Sequence, residues 1–206
     1  MMKLFGRKKH ASRSDEQLME LVGRGETSAF DELYERYASR LLRYFLRMIG
    51  GDEARAQDLL HDLFLKIVER PELYAPGRRF STWIFSSAHN MCKNEYRSRE
   101  RRRPVVMEFD ELPAEAEHPM EMIDRSSFLL TLMTALDGFE EEHRTTFLLR
   151  YQEGFSIREI GDVLGCPEGT VKSRLFYTTR RLAVRLRDFD PGADEETSIR
   201  IQGSQA

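Results

Sequence analysis

Residues 155–182 constrain the fold more than any other part of the chain, because they have the pattern of two short helices joined by a tight turn. Ser156 followed by Glu159 predicts a capping box at the start of the first helix. Gly165 suits the special backbone conformation that ends a helix, and Pro167 suits the first turn of the next helix, where its missing N–H costs nothing. The segment therefore predicts a helix-turn-helix.

The second of these helices separates its residues by chemistry. At 3.6 residues per turn, its apolar side carries Val171, Leu175, Thr178, Leu182 and Leu186. The opposite side is small, basic and hydroxyl-bearing, with Gly169, Lys172, Ser173, Phe176 and Arg180. Residues 165–187 hold six Lys or Arg and one acid, and such a face fits the major groove of DNA. We predict DNA contact here, and the alternative is a solvated basic surface on an ordinary helix pair.

Charge is sorted into blocks, although the chain of 206 residues has a formal net charge of only −3. Residues 1–13 carry five basic groups and no acid, and residues 93–103 carry six basic groups and two acids. Residues 104–124 carry seven acids and no Lys or Arg, and the tail from Asp188 carries five acids and one Arg. Blocks of one sign usually mark contact surfaces or solvated tails.

Composition and motif content argue against several classes of protein. No apolar run approaches the ~18 residues of a membrane span, and the basic N-terminus lacks the apolar segment of a secretory signal. Two cysteines, Cys92 and Cys166, favour a reducing compartment, so we expect the cytoplasm. His89 and Cys92 share a helix face, which we interpret as a buried histidine and a small apolar residue rather than as zinc ligands. Without a nucleophile–base pair or a phosphate-binding glycine loop, we expect no enzyme activity, no metal and no cofactor.

Glycine and proline divide the chain into helical segments, and alternating strand patterns are absent. The first three predicted helices are capped by Ser14 or Asp15, by Thr27 and by Asp52. Later helices begin near Ser81, near Glu121 and at Phe139, followed by the helix-turn-helix. Prolines interrupt the acidic segment, which we interpret as a flexible linker. The predicted architecture is all-α, with two small helical domains at 14–103 and 124–187 joined by a linker at 104–123, between a disordered N-terminus (1–13) and a disordered tail (188–206).

Residues 80–103 place aromatic rings beside a basic track. The rings are Phe80, Trp83, Phe85 and Tyr96, and the cations are Lys93, Arg97, Arg99 and Arg101. This combination suits single-stranded nucleic acid, whose bases stack on rings while cations follow the backbone. Alternatively, rings such as Trp83 and Phe85 belong to the core of an amphipathic helix, and the basic run is a solvated helix end.

The third predicted helix has a different signal, an acidic pair one turn apart. Asp58 and Asp62 repel each other mildly at this spacing, and Phe64 lies nearby in the sequence. The pair suits a protein-docking face, although a solvated face is the favoured interpretation when the helix is taken alone.

In three segments the chain resembles bacterial sigma factors of the extracytoplasmic-function group: D-L-L-H-D-L-F-L-K-I-V at 58–68, F-S-T-W-I-F at 80–85 and G-T-V-K-S-R-L-F at 169–176. The likeness covers about residues 14–103 and 124–187. It implies a factor that binds core RNA polymerase, directs it to promoters through −35 and −10 elements and promotes strand opening. A stand-alone helix-turn-helix regulator of duplex operator DNA is the alternative, against which the aromatic and basic cluster at 80–103 argues. A decoy that only sequesters a regulator is a third candidate.

The resemblance also implies roles for residues of the first domain. The surface at Asp58, Asp62 and Phe64 would dock on the clamp of the largest polymerase subunit. The loop at 72–80 would capture a flipped base of the −10 element, an extrusion that costs a few kcal/mol. Contacts to the opened −10 strand would come from Phe80, Trp83, Asn90, Lys93, Asn94 and Arg97.

The second domain is similar to the −35 reader of the family. The implied −35 contacts are Arg158, Gly169, Thr170, Lys172, Ser173, Arg174, Phe176, Tyr177 and Arg180. Tyr177 stands where some relatives have a basic base-reading residue. The −35 sequence that those relatives prefer therefore does not carry over to this chain. The implied partners are core polymerase, including the flap on the −35 side, duplex and single-stranded promoter DNA, and an anti-sigma factor clamped between the domains. The free protein would be a monomer.

Overall fold

The computed structural model describes residues 10–102 and 125–189, and all regular elements in those ranges are helical. The α-helices are α1 (Asp15–Gly23), α2 (Thr27–Met48), α3 (Glu53–Glu69), α4 (Phe80–Arg102), α5 (Arg125–Asp137), α6 (Glu141–Tyr151), α7 (Ile157–Leu164) and α8 (Glu168–Arg185). Short 3-10 turns follow α3 at Pro71–Leu73 and α8 at Arg187–Phe189. The all-α prediction is confirmed. The predicted linker lies outside the described residues.

Local sequence accounts for most helix starts. Ser14 forms a capping box at α1, and the Asp52 side chain accepts a hydrogen bond from the backbone N–H of Arg55 at α3. The predicted N-cap of α2 was wrong by one residue. Thr27 is the first helical residue rather than the cap, and the N-cap is Glu26, without a side-chain capping bond. The Glu26 carboxylate instead accepts a hydrogen bond from the Ser28 hydroxyl.

Helices α1 to α4 form the first unit around one apolar core. The stripe of α2 repeats every three to four residues, and its buried members include Leu33, Tyr37, Leu41, Phe45 and Met48. Complete burial of each such aliphatic or aromatic side chain contributes about 1.5–3 kcal/mol. This core holds α4, the helix with the aromatic and basic cluster, in place.

Residues 10–13 form a turn that α2 holds. The Arg36 guanidinium donates to the carbonyl oxygens of His10, Ala11 and Arg13 at 3.0 to 3.3 Å. The His10 ring is buried, with Nε2 2.9 Å from Ser28 Oγ. These four residues were predicted to belong to the disordered N-terminus. The prediction failed here because the residue that holds them, Arg36, lies more than 20 positions away in the sequence. Residues 1–9 are outside the described part of the chain.

Helices α5 to α8 form the second unit, which contains the predicted helix-turn-helix. Ser156 and Glu159 make the capping box of α7. Gly165 has a φ of 64°, the left-handed conformation that glycine adopts without strain. Pro167 is the N-cap of α8. Gly161 is buried where α7 crosses the turn, and a Cβ there would lie 2.9 Å from the carbonyl oxygen of Cys166.

The two units pack directly against each other, with α7 on α4 and α6 on α2. The rings of Phe85 and Phe155 meet edge to face, with centroids 5.3 Å apart. Ser86 Oγ donates to the carbonyl oxygen of Val163 at 3.1 Å. The sequence predicted two units but not their contact, because such partners lie 77 residues apart in the chain.

Arg144 of α6 is the most extensively bonded group in this interface. Its side chain is buried and donates at 2.8 to 3.3 Å to five oxygens: the carbonyls of Met48, Leu136, Asp137 and Phe139 and the hydroxyl of Tyr96. Three of these acceptors lie at the end of α5 or just after it, and the other two belong to the first unit. One guanidinium therefore caps a helix C-terminus and joins the two units.

Candidate nucleic-acid interfaces

The outer face of α8 carries most of the predicted −35 residues. Gly169, Lys172, Ser173, Phe176, Tyr177 and Arg180 are exposed, and Thr170 is half-buried. On the inner side Val171, Thr178 and Leu182 are buried. The rings of Phe176 and Tyr177 are 58% and 60% exposed with centroids 5.5 Å apart, so this face presents two adjacent aromatic groups as well as cations. Arg158 of α7 is exposed too.

Arg174 differs from the other predicted −35 residues, because its side chain turns toward the protein. It is half-buried, pairs with Glu142 of α6, and has Nη1 3.7 Å from Cys166 Sγ. In this arrangement the guanidinium braces the turn of the helix-turn-helix. The resemblance to sigma factors implied a DNA contact for Arg174, whereas its partner Glu142 lies 32 residues away and follows only from the packing of α6 on α8.

The predicted −10 contacts on α4 divide into a buried and an exposed set. Phe80 has no exposed surface and Trp83 is 7% exposed, so their rings pack in the core in this conformation. Tyr74 contacts both rings, with centroid separations of 5.7 Å to Phe80 and 5.4 Å to Trp83. This burial favours the core alternative over base stacking for both side chains.

The exposed side of α4 carries a strip of polar side chains, here called the polar strip. Asn90, Asn94 and Arg97 are exposed, and Lys93 is half-buried. These side chains offer amide and cationic donors, which suit contacts to a nucleic-acid backbone and to base edges. The described side chains of α4 end at Ser98, so Arg99 and Arg101 of the predicted basic track lie beyond them.

The predicted capture loop runs between the end of α3 and the start of α4. Ala75 to Arg79 are exposed, and Gly77 has a φ of 90°. Tyr74, buried beneath the loop, donates from its hydroxyl to the carbonyl oxygen of Arg78. Arg79 pairs with Glu159, the capping residue of α7, so the loop touches the second unit. The Arg79 side chain is 72% exposed and the Glu159 side chain 20% exposed. Water therefore screens the pair, and ion pairs at the surface contribute little free energy.

The predicted docking surface on α3 is partly acidic and partly apolar. Asp58 and Asp62 are exposed, but Phe64 is buried and packs against the rings of Phe30 and Tyr34, at 5.9 and 4.7 Å. Phe64 therefore supports this surface and does not form it. Exposed apolar side chains on or beside α3, which the sequence did not single out, are Tyr34, Leu65 and Val68. Tyr34 is exposed although it fits the helical period of the buried stripe of α2.

Neither His89 nor Cys92 takes part in a metal cluster, since no three potential ligands converge within the described ranges. His89 lies in the interface between the units, with Nδ1 3.5 Å from Thr145 Oγ1. Burial, together with the nearby charge of Lys93, lowers the pKa of His89 to about 4, which keeps the ring neutral near pH 7. Burial also raises the pKa of the Cys92 thiol, so this group is inert. None of the helices described is long and apolar enough to cross a bilayer.

Two family models match the chain. The model described as Sigma-70 region 2 matches residues 33–102, and the model described as Sigma-70, region 4 matches residues 129–182. The ECF RNA polymerase sigma factor SigL of Mycobacterium tuberculosis is 34% identical over 164 residues, which cover 79% of this chain and 92% of SigL. This chain is an ECF (extracytoplasmic-function) sigma factor. Like other members of that family, it directs RNA polymerase in transcription initiation.

Other relatives agree with this family membership. The RNA polymerase sigma-H factor of Pseudomonas aeruginosa is 32% identical over 171 residues, with 79% of this sigma factor and 88% of the relative covered. In the solved structure of CnrH in complex with the cytosolic domain of CnrY, the matching chain is 21% identical with a TM-score of 0.63, and the match covers 84% of this chain and 97% of that one. RpoE of Bartonella quintana, solved with the anti-sigma factor NepR, is 23% identical with a TM-score of 0.61, covering 77% and 96%. These structures share the fold.

The family matches divide the sigma factor along its helical units. Region 2 begins within α2 and ends with α4, and region 4 runs from α5 into α8. Helix α1 lies outside both matches, although it packs on α2 and α4.

Proposed function

We propose that this sigma factor binds core RNA polymerase through the α3 surface, reads the −35 element as duplex DNA through α8, and holds the melted −10 element with the loop at 72–80 and the polar strip of α4. The outer face of α8 is the main support, because a helix-turn-helix presents a polar, basic and aromatic helix on the side opposite its buried residues. Strand opening draws on binding free energy, and phosphodiester chemistry belongs to the polymerase.

Run-off transcription with purified core polymerase tests this proposal. Templates are chosen by sequencing RNA 5′ ends after overexpression of the factor. We expect start-site-specific RNA only when the factor is present, and unpaired thymines upstream of the start in permanganate footprints. Tight operator binding without polymerase, and no RNA from any template, would identify a stand-alone regulator. A complex with a regulator that forms without polymerase, together with no DNA binding and no RNA product, would identify a decoy.

Replacing Lys172 by alanine is expected to weaken holoenzyme binding to duplex −35 DNA about tenfold, because a charge-assisted contact to DNA is removed. If the contact is to a phosphate, the slope of log affinity against log salt falls by about 1. Binding to core polymerase is expected to stay unchanged. Arg43→Ala, which removes an exposed cation of α2 assigned to neither DNA surface, is the matched control. Equal loss of DNA binding and polymerase binding would show that the assignment of α8 as the −35 reader is wrong.

Replacing Asp62 by alanine is expected to lower affinity for core polymerase about three- to tenfold, since an exposed charge at an interface chiefly affects the association rate. Fluorescence titration of labelled factor with core polymerase measures the change at two salt concentrations. Glu53→Ala is the control, because Glu53 is nine residues earlier and so points to the opposite side of α3. If both variants bind like the wild type, the docking surface lies elsewhere.

Reading both promoter elements at once requires the two units to separate. The −35 and −10 positions are about 25 base pairs apart, which is about 85 Å of B-DNA. In the structure α7 packs directly on α4, and axes of packed helices lie only about 8–10 Å apart. The 22 residues between the described ranges, 103–124, span up to about 75 Å when fully extended. Together with the length of the units, this reach is sufficient.

We further infer an anti-sigma factor as a partner of this chain in the cytoplasm. The support is that the two solved sigma factors named above were determined with CnrY and with NepR. Capture on the tagged factor from uninduced cells, followed by run-off transcription with each purified captured protein, tests the inference. A captured protein that abolishes the RNA product supports it. If no captured protein inhibits, the inference is wrong.

A further inference from the structure

We propose that α1 is a positioning element for the capture loop, acting chiefly through Glu16, and that it thereby sets how sharply the loop discriminates among −10 bases. The inference rests on the proposed function of the loop. Helix α1 precedes the region 2 match, so the family model assigns it no part in this surface.

Both ends of the loop rest on α1. At the start, Pro71 lies against Gly23, where an added Cβ would meet the Pro71 Cβ at 3.9 Å. At the end, Glu16 Oε1 accepts a hydrogen bond from the backbone N–H of Phe80 at 3.0 Å. The exposed residues 75–79 are therefore presented from two points fixed on one short helix.

Glu16 acts as an N-terminal cap supplied by another helix. Phe80 is the first residue of α4, and the first N–H groups of a helix have no intrahelical partner. A carboxylate at this end also interacts favourably with the helix dipole. Partial burial opposes ionisation of Glu16, but hydrogen bonds from the N–H of Phe80 and its own backbone outweigh burial and hold its pKa below the ordinary value.

The neighbouring residue of α1 holds the base of the loop through an aromatic ring. Asp15 accepts a hydrogen bond from the Tyr37 hydroxyl at 2.5 Å. The Tyr37 ring packs edge to face on Phe80, with centroids 5.2 Å apart. Phe80 in turn contacts Tyr74, whose hydroxyl bonds the loop carbonyl of Arg78. A continuous set of contacts thus links α1 to the exposed loop.

A fixed loop is what selective base capture requires. An extruded base has lost its stacking and pairing, so the pocket must offer complementary contacts that are already in place. Ordering loop side chains only upon binding reduces affinity. It also blurs discrimination, because a loop that adapts its shape fits matched and substituted bases more equally.

The test compares holoenzymes that contain wild-type factor, Glu16→Ala, Glu16→Gln or Glu20→Ala. Glu20 is an exposed acid one turn further along α1, and its removal deletes the same charge without deleting the cap at Phe80. The probes are fluorescent single-stranded oligonucleotides of the non-template −10 sequence. One carries the native sequence and the others carry a single substituted base at each position in turn.

We expect Glu16→Ala to lower affinity for the native oligonucleotide about tenfold, because a loop end without its cap is less ordered and must be ordered upon binding, and to flatten the preference for native over substituted bases. Glu16→Gln keeps an acceptor oxygen and is expected to lose about two- to threefold, because the dipole interaction is lost. We expect all three variants to bind core polymerase like the wild type. We expect Glu20→Ala to match the wild type in oligonucleotide affinity and in base preference as well. A merely structural role would lower all oligonucleotide affinities equally and leave the preference intact, and that result would overturn the inference.

Equal affinities and preferences for Glu16→Ala and Glu20→Ala would overturn the inference. If Glu16→Ala fails to fold, Glu16→Gln decides, and a preference identical to wild type then overturns it. Failure of the wild-type holoenzyme to distinguish native from substituted oligonucleotides at any position would instead overturn the proposed function.

Discussion

Replacing Arg144 by methionine is expected to lower the free energy of unfolding by about 3 kcal/mol or more. Methionine fills a similar volume but donates no hydrogen bond, so the carbonyls of Met48, Leu136, Asp137 and Phe139 lose a buried donor. A buried polar group left without its partner costs about 1–3 kcal/mol. Urea unfolding followed by circular dichroism measures the change. Arg150→Met, on the exposed side of the same helix with one bond to the Phe155 carbonyl, is the control and is expected to cost about 1 kcal/mol.

The same substitution is expected to loosen the contact between the two units. Arg144 supplies two hydrogen bonds across it, to the Met48 carbonyl and to the Tyr96 hydroxyl, both at 3.2 Å. Small-angle scattering should therefore give a larger radius of gyration for Arg144→Met than for Arg150→Met. An unfolding curve and a scattering profile that overlay those of the control would contradict both expectations. They would mean that packing, such as that of Phe85 on Phe155, holds the units without the guanidinium.

The second large effect is expected at Gly161, where a valine should disrupt the helix-turn-helix. A Cβ at this position would lie 2.9 Å from the Cys166 carbonyl oxygen and 4.0 Å from Val171 Cγ2. The first distance is too short, and because the obstacle is backbone, α7 or the turn must move. Overpacking of this kind costs about 1–3 kcal/mol, and the branched side chain of valine adds to the crowding. Thermal unfolding and affinity for duplex −35 DNA are the measurements.

We expect Gly161→Val to reduce −35 affinity about tenfold or more, since the recognition helix loses its fixed angle to α7, and Gly161→Ala to fall between valine and wild type. Gly169→Ala is the control for stability. No atom lies within 4 Å of a Cβ added there, and alanine is the better helix former by roughly 0.5–1 kcal/mol. If Gly161→Val melts like the wild type, the close crossing of α7 and the turn is not tight in solution.

Contacts near in sequence were predictable. The capping box at Ser156 and Glu159, the left-handed glycine at 165 and the two faces of α8 all depend on residues a few positions apart, and the structure contains them as expected. The same is true of the caps at Ser14 and Asp52. The all-α class followed as well, since helical period and breaks are local properties.

The exposure of individual side chains on those helices was less predictable. The sequence left Trp83 and Phe80 open between base contact and core packing, and in the structure Tyr37 packs on Phe80 and Tyr74 packs on Trp83. Tyr34 fits the helical spacing of the buried residues of α2, yet it is 44% exposed. Helical period gives a direction around the axis, whereas burial depends on which element packs on that side. The aromatic signal in α4 was therefore ambiguous between core and strand contact when judged from the sequence alone.

By itself, the sequence determined the helices, the caps at Ser14, Asp52 and Ser156, the helix-turn-helix, the block pattern of charge and the resemblance to sigma factors. Only the tertiary structure decided that the two units touch, that Arg144 joins them, that Arg174 turns to Glu142, and that Glu16 caps the helix beginning at Phe80. The physical reason is the separation in sequence between the interacting residues. A cap or a helical stripe is decided within one or two turns of chain, whereas these pairings join residues 32 to 96 positions apart, so they depend on how whole helices pack.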